Sequence, residues 1–569
     1  MQLKWNQPKD GYWKWIKDVP FVIVKQNKIN YIIIFNWLKM YNRNFRCVMG
    51  CTLMIMLTIH LQAQRVMESS NQSSNQKNEI KPSSRPNIIF FLVDDMGWED
   101  TSVPFWESTT AQNGKFQTPN MAAFAATAEK FTNAYANSIC TPSRVSLMTG
   151  MAAGRHRVTN WTMFKDKGVD AKDSVMKAPD WNVNGLSPLP GDSHSVYATP
   201  LPEMLRQNGY FTIQCGKAHF GAYQTPGANP LNIGFVKNIG GSAAGNPASY
   251  LAESDFGYDP NHFNVRADIP NMKQYWGTPT FLTEDLTIEA KNAMDTAVSL
   301  HKPFFLYMAH YAVHLPYNAD KRFVQKYVDK GYTKSEAAYC ALIEGMDKSL
   351  GDLLNYLKEK GLDQNTIVVF MSDNGGYSHA PRQGADNSQN YPLRNGKGSL
   401  YEGGIREPMM VRWPGVTKAG SISDQPVIIQ DFYPTLLSMA GIKNYRTVQT
   451  IDGQSMVPYL KNPKKVNDQR ELVWNFPNGW VGGPQSQDCS WTCAIRKGDW
   501  KLIYFEKYAR LELYDLKNDI KEQHNMASTL PKMTRKLARL LTRQLKRQHA
   551  QMAIIKASGK PAPYPDALK

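Results

Sequence analysis

The chain has 569 residues, of which 42% are hydrophobic and 20% charged, a composition that excludes a disordered or fibrous protein and allows more than one folding unit. Its net charge of +17 is concentrated at the two ends. Residues 1–65 hold ten basic and two acidic residues, residues 531–569 hold ten basic and one acidic residue, and the stretch between them is neutral overall. Without a recognition motif at either end, this charge does not predict a nucleic-acid partner.

The first 63 residues are predicted to be a leader that includes a signal peptide. Two arginines precede an apolar run over residues 47–59, which is too short for a comfortable membrane span, and a cleavage site follows at Ala63. A signal peptide of ordinary length would begin at Met40, so we expect the true start of the chain there. The leader predicts use of the export machinery and a place in the periplasm, on the cell surface or in the medium. For residues 1–39 the alternative is an amphipathic membrane anchor.

Residues 64–85, rich in Ser, Asn, Gln and Lys, are predicted to be a flexible linker that leads into the folded part of the chain. Continuous apolar runs then predict three buried strands, at residues 88–93, 304–308 and 366–371. Between the last two, apolar residues at helical spacing predict a helix over about residues 333–360. Strands that alternate with helices predict an α/β domain over residues 86–465, with helices on both faces of its sheet.

After about residue 465 the pattern changes to short strand-like segments, at residues 471–476, 492–495, 501–505 and 510–514. A helix over about residues 530–552 follows, so we predict a second, α+β subdomain over residues 466–569. Five apolar side chains share one face of that helix and are predicted to pack on the small sheet: Met533, Leu537, Leu540, Leu541 and Leu545. The basic face is predicted to lie in solvent, with the holding of a polyanion as the alternative. Cys489 and Cys493 are near enough in sequence to pair in an oxidising compartment.

Two of the predicted strands end in a pair of oxygen ligands. Asp94 and Asp95 follow the first strand, and Asp373 and Asn374 follow the third. α/β folds place their sites beyond the carboxyl ends of such strands, and carboxylate and amide oxygens suit a hard cation such as Ca²⁺. A single pair would more often cap a helix or a turn, whereas two pairs in this position predict a metal site.

The most informative segment is residues 138–150, Ser-Ile-Cys-Thr-Pro-Ser-Arg-Val-Ser-Leu-Met-Thr-Gly. Cys140 precedes a predicted helix start, Pro142 suits the first turn and Arg144 brings a nearby cation, which together would acidify the thiol. From Cys-x-Pro alone, a buried cysteine at a helix start is the better interpretation. The full string, Cys-x-Pro-Ser-Arg followed by Leu-x-Thr-Gly, resembles the signature of the formylglycine-dependent sulfatases of the alkaline phosphatase-like superfamily.

Five other segments resemble motifs of that family, in family order: residues 86–97, 216–221, 310–316, 372–376 and 394–404. The resemblance covers about residues 86–545. It implies an α/β fold in which helices sandwich a large mixed β-sheet, with a smaller C-terminal subdomain of antiparallel sheet and helix. It also implies a sulfuric ester hydrolase that acts on a sulfated carbohydrate, as the exported polysaccharide sulfatases of bacteria do on ulvan, carrageenan, fucoidan or glycosaminoglycan.

By this resemblance, a maturation enzyme oxidises Cys140 to a formylglycine, and the hydrated aldehyde is the nucleophile that forms a covalent sulfo-enzyme intermediate. One Ca²⁺, in preference to Mg²⁺, is implied at five residues: Asp94, Asp95, Asp373, Asn374 and the modified Cys140. The cation would bind a sulfate oxygen and favour ionisation of the attacking hydroxyl.

Three cations and two histidines complete the site that the resemblance implies. Arg144, Lys217 and Lys397 would hold the negative charge of the sulfuryl group. His314 would protonate the departing oxygen of the sugar. His219 would then take a proton from the second hydroxyl of the intermediate, which expels sulfate and restores the aldehyde.

Seven further residues are candidate contacts for the sugar, because loops beside a rigid site usually set specificity: His310, Arg155, His156, Trp161, His379, Arg382 and Arg394. For each of them the alternative is an ordinary structural residue of a loop or a strand end.

Two alternative functions are also considered. Some hydrolases of phosphonate monoesters or phosphodiesters in the same superfamily use a formylglycine, and relative rates on aryl sulfate and aryl phosphonate would separate the two activities. A non-catalytic glycan-binding relative is the second alternative. It predicts a lost metal ligand or a changed nucleophile, and the motifs contain no such departure.

Overall fold

The computed structural model describes residues 85–377, 390–481 and 489–568, together with the backbone of two strands near the amino terminus. Those strands, Phe21–Gln26 and Ile29–Ile34, pair antiparallel. The apolar run and cleavage site of the predicted leader, and nearly all of the predicted linker, lie outside the described residues. Within the described part of the chain, no helix combines the length and the apolar composition needed to cross a membrane.

An eight-stranded mixed sheet is the centre of the unit formed by Pro82–Lys569. Its strands in chain order are β1 (Asn87–Val93), β2 (Glu129–Phe131), β3 (Phe211–Gly216), β4 (Lys237–Ile239), β5 (Phe304–Ala309), β6 (Thr366–Ser372), β7 (Met409–Arg412) and β8 (Ile422–Ser423). They lie in the order β4-β3-β5-β1-β6-β7-β2-β8, and of these eight only β7 runs antiparallel to its neighbours. The three predicted strands are β1, β5 and β6, which lie side by side.

The α-helices of the described residues are, in chain order, α1 (Ala111–Lys115), α2 (Pro119–Ala125), α3 (Cys140–Thr149), α4 (Ala153–His156), α5 (Leu201–Gln207), α6 (Leu282–Ser299), α7 (Gln325–Asp329), α8 (Lys334–Glu359), α9 (Glu402–Ile405), α10 (Phe432–Met439), α11 (Val457–Leu460) and α12 (Pro531–Arg547). The predicted helix over residues 333–360 is α8. It begins after Thr333, whose side chain accepts a hydrogen bond from the backbone N–H of Glu336 and so satisfies one of the free N–H groups of the first turn.

Alternate side chains of β1 divide the core into two layers. The odd-numbered residues 89, 91 and 93 pack with α2, α6 and α8, and the even-numbered residues 88, 90 and 92 pack with α3, α5 and α10. Both faces of the strand are therefore buried, which explains why β1 is a continuous apolar run rather than an alternating one. The α/β fold class with helices on both faces of a mixed sheet is confirmed.

A four-stranded antiparallel sheet follows, formed by β9 (Glu471–Phe476), β10 (Thr492–Lys497), β11 (Trp500–Phe505) and β12 (Arg510–Asp515). Helix α12 covers one face of this small sheet. Leu537, Leu541 and Leu545 recur every four residues on one side of α12 and are buried, and each stabilises the packing by about 1.5–3 kcal/mol. The predicted C-terminal sheet with one helix is confirmed.

The other face of the small sheet packs on the segment that carries Cys140. Trp474 and Ile503 of the sheet share a cluster with Ile139 and Leu400. Residues 466–568 are therefore joined to the part of the chain that holds the main sheet through a continuous apolar contact, and one compact unit spans Pro82–Lys569. The predicted boundary near residue 465 stays a prediction.

Cys489 and Cys493 are not joined by a disulfide in the structure. Cys493 belongs to the cluster under α12, whereas Cys489 belongs to the cluster on the opposite face of the small sheet. The two thiols lie in different layers, so nearness in sequence does not bring them together.

A buried group of charges also joins the two parts of the unit. The carboxylate of Glu402, at the start of α9, lies 2.8 Å from Lys501 Nζ and 2.6 Å from Arg406 Nε. Glu522 lies 2.9 Å from Lys501 Nζ and accepts a hydrogen bond from the backbone N–H of Glu402 at 2.7 Å. We name these four residues the Glu402 cluster. Since each carboxylate oxygen faces a cation or an N–H group, these buried charges have partners within the protein in place of water.

Candidate active site

The carboxyl edge of the main sheet brings the predicted metal ligands together. In the register of β1 and β6, Val93 is paired with Ser372, so the residues that follow the two strands meet. Side-chain oxygens of Asp94, Asp95 and Asp373 lie within 4.8 Å of one another, and all three residues are buried. We name these three residues the carboxylate cluster.

The carboxylate cluster includes acceptor atoms without hydrogen bonds. Asn374 donates from Nδ2 to Asp95 Oδ1 over 2.8 Å, but its own buried Oδ1 accepts no hydrogen bond, and neither does Asp94 Oδ1. Burial raises the pKa of Asp94 well above its usual range; Lys217 opposes this effect and Asp373 adds to it. Buried oxygens that are close together and unsatisfied fit a divalent cation, which would supply the missing bonds.

A cation faces each member of the carboxylate cluster. The pairs are Lys217 Nζ–Asp94 Oδ2 at 2.7 Å, Lys397 Nζ–Asp95 Oδ1 at 2.6 Å and Arg144 Nε–Asp373 Oδ2 at 2.9 Å. Burial disfavours ionisation of Asp95, but Lys397 and His314 outweigh burial and lower its pKa. Three positive and three negative charges balance, so a divalent cation would give the site a net positive charge that suits an anionic group.

Cys140 is the first residue of α3 and is buried, with 3% of its surface exposed. The helix ends at Gly150, whose φ of 69° lies in the left-handed region that glycine adopts without strain. One turn after Cys140, Arg144 reaches Asp373 and also donates from Nη1 to the carbonyl of Lys217 over 2.9 Å. These bonds fix α3 against the carboxylate cluster, and the positive end of the helix lies at Cys140.

Two of the predicted histidines lie beside Cys140. His219 Nε2 lies 2.8 Å from the carbonyl oxygen of Thr162, and burial lowers the pKa of this ring well below its usual range. His314 Nε2 lies 3.4 Å from Asp95 Oδ2, and its Nδ1 donates to the carbonyl of Leu315 over 3.0 Å. Burial also lowers the pKa of His314, against the opposing effect of Asp95. Burial therefore favours the neutral form of both rings, the state in which a histidine accepts a proton, and at His314 the carboxylate of Asp95 opposes this effect.

A cavity of about 200 Å³ opens at these groups. Five of the residues predicted to act in catalysis or to bind the metal line it: Asp95, Cys140, His219, His314 and Lys397. Aromatic and polar residues from distant parts of the chain complete its wall: Trp161, Asn246, Arg266, Tyr377 and Trp480. Trp480 comes from the loop after β9 and lies against Gly398, where a Cβ atom would be 2.6 Å from the indole ring.

Of these wall residues, only Trp161 is predicted from the sequence. Tyr377 directly follows the 372–376 motif, and that position is a signal that could have found it. Asn246, Arg266 and Trp480 stand outside every motif, and their nearness to Cys140 depends on chain segments more than 100 residues away.

The predicted role of four other residues as sugar contacts is corrected, because the structure places them away from the cavity. Arg155 makes a bidentate ion pair with Asp452, with Nε and Nη2 each 2.7 Å from a carboxylate oxygen. His156 is fully buried, and its Nδ1 accepts a hydrogen bond from the backbone N–H of Val158 over 3.0 Å. Burial lowers the pKa of His156 to about 3. Both residues hold the segment after α3 in place.

His310 and Arg394 are corrected in the same way. His310 is fully buried with its Nε2 2.8 Å from Ser349 Oγ on α8. Arg394 stacks on the ring of Tyr401, with Cζ 3.9 Å from the ring centroid, and donates to the carbonyl of Glu522 over 2.9 Å. Two candidates lie outside the described residues: His379 and Arg382.

The chain matches two family models. The model described as Sulfatase matches residues 86–442, and the model described as N-sulphoglucosamine sulphohydrolase, C-terminal, matches residues 395–551. Together the two matches run through the main sheet, the cavity and the small sheet.

Relatives match over most of the chain. A protein named Sulfatase from Formosa agariphila is 30% identical over 562 residues, which cover 88% of this chain and 95% of the relative. The N-acetylgalactosamine-6-sulfatase of Mus musculus is 32% identical over 432 residues, which cover 71% and 75%. The crystal structure of Ps i-CgsB in complex with k-i-k-neocarrahexaose is similar with a TM-score of 0.62 and 27% identity, over 81% of this chain and 93% of that one.

Proposed function

Because the chain belongs to the sulfatase family and is a sulfuric ester hydrolase, we propose that it removes sulfate esters from a sulfated polysaccharide or its oligosaccharides, with Cys140 as the precursor of the nucleophile. One observation carries the proposal: Cys140, His219, His314 and Lys397 line a single cavity together with Asp95 of the carboxylate cluster. Transfer of a sulfuryl group needs a nucleophile, groups that give and take a proton, and fixed positive charge, and these residues supply all of them.

Asp94, Asp95, Asp373 and Asn374 would hold one divalent cation. We propose Ca²⁺ because every donor is an oxygen atom. When bound, the ion would polarise a sulfate oxygen and favour ionisation of the nucleophile. The buried Oδ1 atoms of Asp94 and Asn374, which accept no hydrogen bond, support this assignment.

In the proposed reaction, a maturation enzyme has oxidised Cys140 to a formylglycine, and water adds to the aldehyde to give two hydroxyls. One hydroxyl loses its proton to water and attacks sulfur while the S–O bond to the sugar breaks, and His314 gives a proton to the departing oxygen. The negative charge of the bound sulfate ester, with that of Asp95, favours the protonated ring. His219 then takes the proton of the second hydroxyl, the C–O bond to the sulfate breaks, and sulfate leaves as the aldehyde forms again.

The walls of the cavity support a sugar as the group that carries the sulfate. Trp161, Tyr377 and Trp480 offer aromatic surface to a sugar ring, and Asn246 and Arg266 offer hydrogen bonds to a hydroxyl or to a second sulfate. A volume of about 200 Å³ is below the range of about 300–1,000 Å³ for whole small-molecule ligands. The cavity is therefore suited to one sulfated sugar unit, with the rest of the chain outside.

The relatives favour one kind of sugar. One is named an N-acetylgalactosamine-6-sulfatase, and Ps i-CgsB is bound to a carrahexaose. We therefore propose a sulfated galactose or N-acetylgalactosamine unit as the substrate of this chain.

Sulfate release from oligosaccharides tests the proposal. Protein produced together with a maturation enzyme is assayed on carrageenan, chondroitin sulfate, ulvan and fucoidan oligosaccharides, and on an aryl sulfate and an aryl phosphonate. We expect the fastest release from the first two, and none from Cys140→Ala protein. Mass spectrometry of the peptide across Cys140 measures its conversion to the aldehyde. Faster hydrolysis of the phosphonate than of the sulfates would contradict the proposed activity, and full activity of Cys140→Ala protein would contradict the proposed nucleophile.

We also propose that the mature protein is exported to the periplasm, the cell surface or the medium. The apolar run over residues 47–59 with Ala63 beyond it supports this location. Cell fractionation and amino-terminal sequencing test it. A mature protein that begins after Ala63 is expected, and an uncleaved protein in the cytoplasm would contradict it.

A further inference from the structure

Helix α12 presents a row of arginines along one side. Arg535, Arg539, Arg543 and Arg547 recur every four residues, which sets neighbours about 6 Å apart along the helix axis. All four are exposed. The helix carries seven basic and no acidic residues over Pro531–Arg547, so the row lies in a strongly positive surface.

Most of this positive charge is not neutralised by the protein. Arg543 lies 2.9 Å from a carboxylate oxygen of Glu471. Among the described residues, none of Arg535, Arg539 and Arg547 forms an ion pair with a carboxylate. Like charges four residues apart destabilise a helix slightly. The apolar side of α12 holds the helix on the small sheet, so the packing does not account for the row.

A polar cavity of about 360 Å³ adjoins the row. Three arginines line it (Arg470, Arg543 and Arg547), as do six amide side chains: Gln430, Gln454, Asn467, Gln469, Gln544 and Gln548. Two carboxylates also line it, and each is paired with an arginine: Asp452 with Arg155 and Glu471 with Arg543. Gln430 and Gln548 are only 6% and 7% exposed, and Oε1 of each accepts no hydrogen bond. The volume falls within the range of about 300–1,000 Å³ for ligand sites, and the lining shares no residue with the cavity at Cys140.

This combination of groups fits one kind of ligand. Amide side chains both donate and accept hydrogen bonds, as the hydroxyls of a sugar require, and a guanidinium binds the oxygens of a sulfate in pairs. Protein partners are usually anchored by aromatic or aliphatic side chains, whereas most of the residues that line this cavity are polar. An evenly spaced row of cations suits an extended polyanion.

We propose that the cavity and the arginine row form a second binding site, which holds a sulfated polysaccharide outside the catalytic cavity. The proposal rests on the proposed function, since the bound chain would be the polymer whose sulfate esters are removed. Binding at this site would raise the concentration of sulfated units near Cys140 by tethering the chain.

Binding measurements with a matched pair of variants test the site. Arg535→Gln/Arg539→Gln/Arg547→Gln removes three charges from the row, and glutamine keeps the helix propensity high. Lys302→Gln/Lys334→Gln/Lys358→Gln removes three exposed charges elsewhere and is the control. Isothermal titration with ι-carrageenan, its desulfated form and polyglutamate is carried out in a Cys140→Ala background, so that the result does not depend on catalysis. We expect the Kd for ι-carrageenan to rise about tenfold in the row variant and less than about twofold in the control.

Variants of the amide side chains distinguish recognition of a sugar from simple attraction between charges. Gln454→Ala/Gln469→Ala is expected to weaken binding of ι-carrageenan and to leave binding of polyglutamate unchanged. In the unmodified Cys140 background, the row variant should raise the KM for polymeric substrate about tenfold and leave kcat/KM for an aryl sulfate within about twofold.

Several outcomes would overturn the second site. If the row variant and the control weaken binding of ι-carrageenan equally, the binding is non-specific attraction between charges and not recognition at this site. An unchanged Kd in the row variant would show that the arginine row does not contribute to binding of ι-carrageenan. Binding of anionic phosphatidylglycerol vesicles, but not of ι-carrageenan, through the row would identify a lipid surface as the partner instead. A protein without sulfatase activity that still binds ι-carrageenan through the row would refute the proposed function and keep the site.

Discussion

The protein buries two clusters of charge that differ in how completely they are paired. In the Glu402 cluster, each of the four oxygens of Glu402 and Glu522 lies within 2.9 Å of a nitrogen of Lys501, Arg406 or a backbone N–H group, and of the four only Glu522 Oε1 makes no hydrogen bond. In the carboxylate cluster, Asp94 Oδ1 accepts no hydrogen bond and lies 3.6 Å from Arg144 Nη2, and the cluster borders the catalytic cavity.

This difference separates two uses of buried charge. Removing an ion from water costs several kcal/mol, and only close pairing with further hydrogen bonds offsets that cost. Complete pairing therefore fits a role in joining the small sheet to the rest of the unit. Oxygens that are left without partners keep the capacity to bind a cation, and charged groups with such unusual surroundings are concentrated at functional sites.

Substitution of Cys140 is expected to have the largest effect, which is on catalytic turnover and not on folding. Cys140→Ser should lower kcat for an aryl sulfate by at least about 10³-fold, because a serine sulfate has no second hydroxyl from which to expel sulfate. The free energy of unfolding should change by less than about 1 kcal/mol, since the two side chains are similar in volume. Cys340→Ala on α8 is the control and should stay fully active. Retention of more than a tenth of the activity by Cys140→Ser would count against a formylglycine.

The Glu402 cluster should show the opposite pattern. Lys501→Met leaves the buried Glu522 without a cation and Glu402 with Arg406 alone, and should lower the free energy of unfolding by about 3–5 kcal/mol. Lys497→Met removes a partly exposed cation from the neighbouring strand and should cost about 1 kcal/mol or less. Urea denaturation measures both. If the two variants lose the same amount, the Glu402 cluster does not hold the small sheet in place.

Removal of divalent cations should affect only the carboxylate cluster. At a Ca²⁺ concentration one hundred times Kd, binding stabilises the folded state by about 2.7 kcal/mol, so a chelator should lower stability by about that amount and abolish activity. Asn374→Ala should reduce the stabilisation by Ca²⁺, whereas Lys501→Met should retain it. Thermal denaturation with and without chelator measures the shift. Equal stability and activity under both conditions would refute a resident cation.

A buried neutral group outside both clusters gives the smallest effect. Burial lowers the pKa of His156 to about 3, against about 6.5 in the unfolded chain. The unfolded chain therefore binds more protons between these values, and the stability gained from the neutral ring is complete above pH 6.5 and is lost as the pH falls towards 3. Protonation of Nδ1 would also break its bond from the N–H of Val158. His156→Gln should reduce the loss of stability between pH 7 and pH 5 by about 2 kcal/mol in urea titrations, and the exposed His301→Gln should not.

The sequence predicts the central strands and the carboxylate cluster because both depend on local patterns. An apolar run followed at once by acidic residues places those residues at the strand end, and parallel neighbours bring two such ends together. Local pattern also predicts α8 and the packing of α12, because apolar residues recur there at helical spacing.

The sequence does not predict the wall of the cavity or the surroundings of individual polar residues. Arg266 and Trp480 reach the cavity through long-range packing, which leaves no local pattern. His156 and His310 have side chains that suit a sugar contact, but both are fully buried and hydrogen-bonded within the protein. Whether a polar side chain faces a cavity or a neighbouring residue depends on the tertiary structure.

The contact between Trp480 and Gly398 has a consequence for recombination between relatives. The indole ring lies where any side chain at position 398 would be, and the φ of +86° there also favours glycine. Residues 394–404 and 478–481 therefore pack as a pair, and a side chain larger than glycine at position 398 would displace the indole ring of Trp480. A chimera with its crossover between these segments would combine residues 394–404 of one parent with residues 478–481 of another, and the two would not have evolved in contact. Moving both segments as a unit is the exchange most suited to transferring specificity from one relative to another.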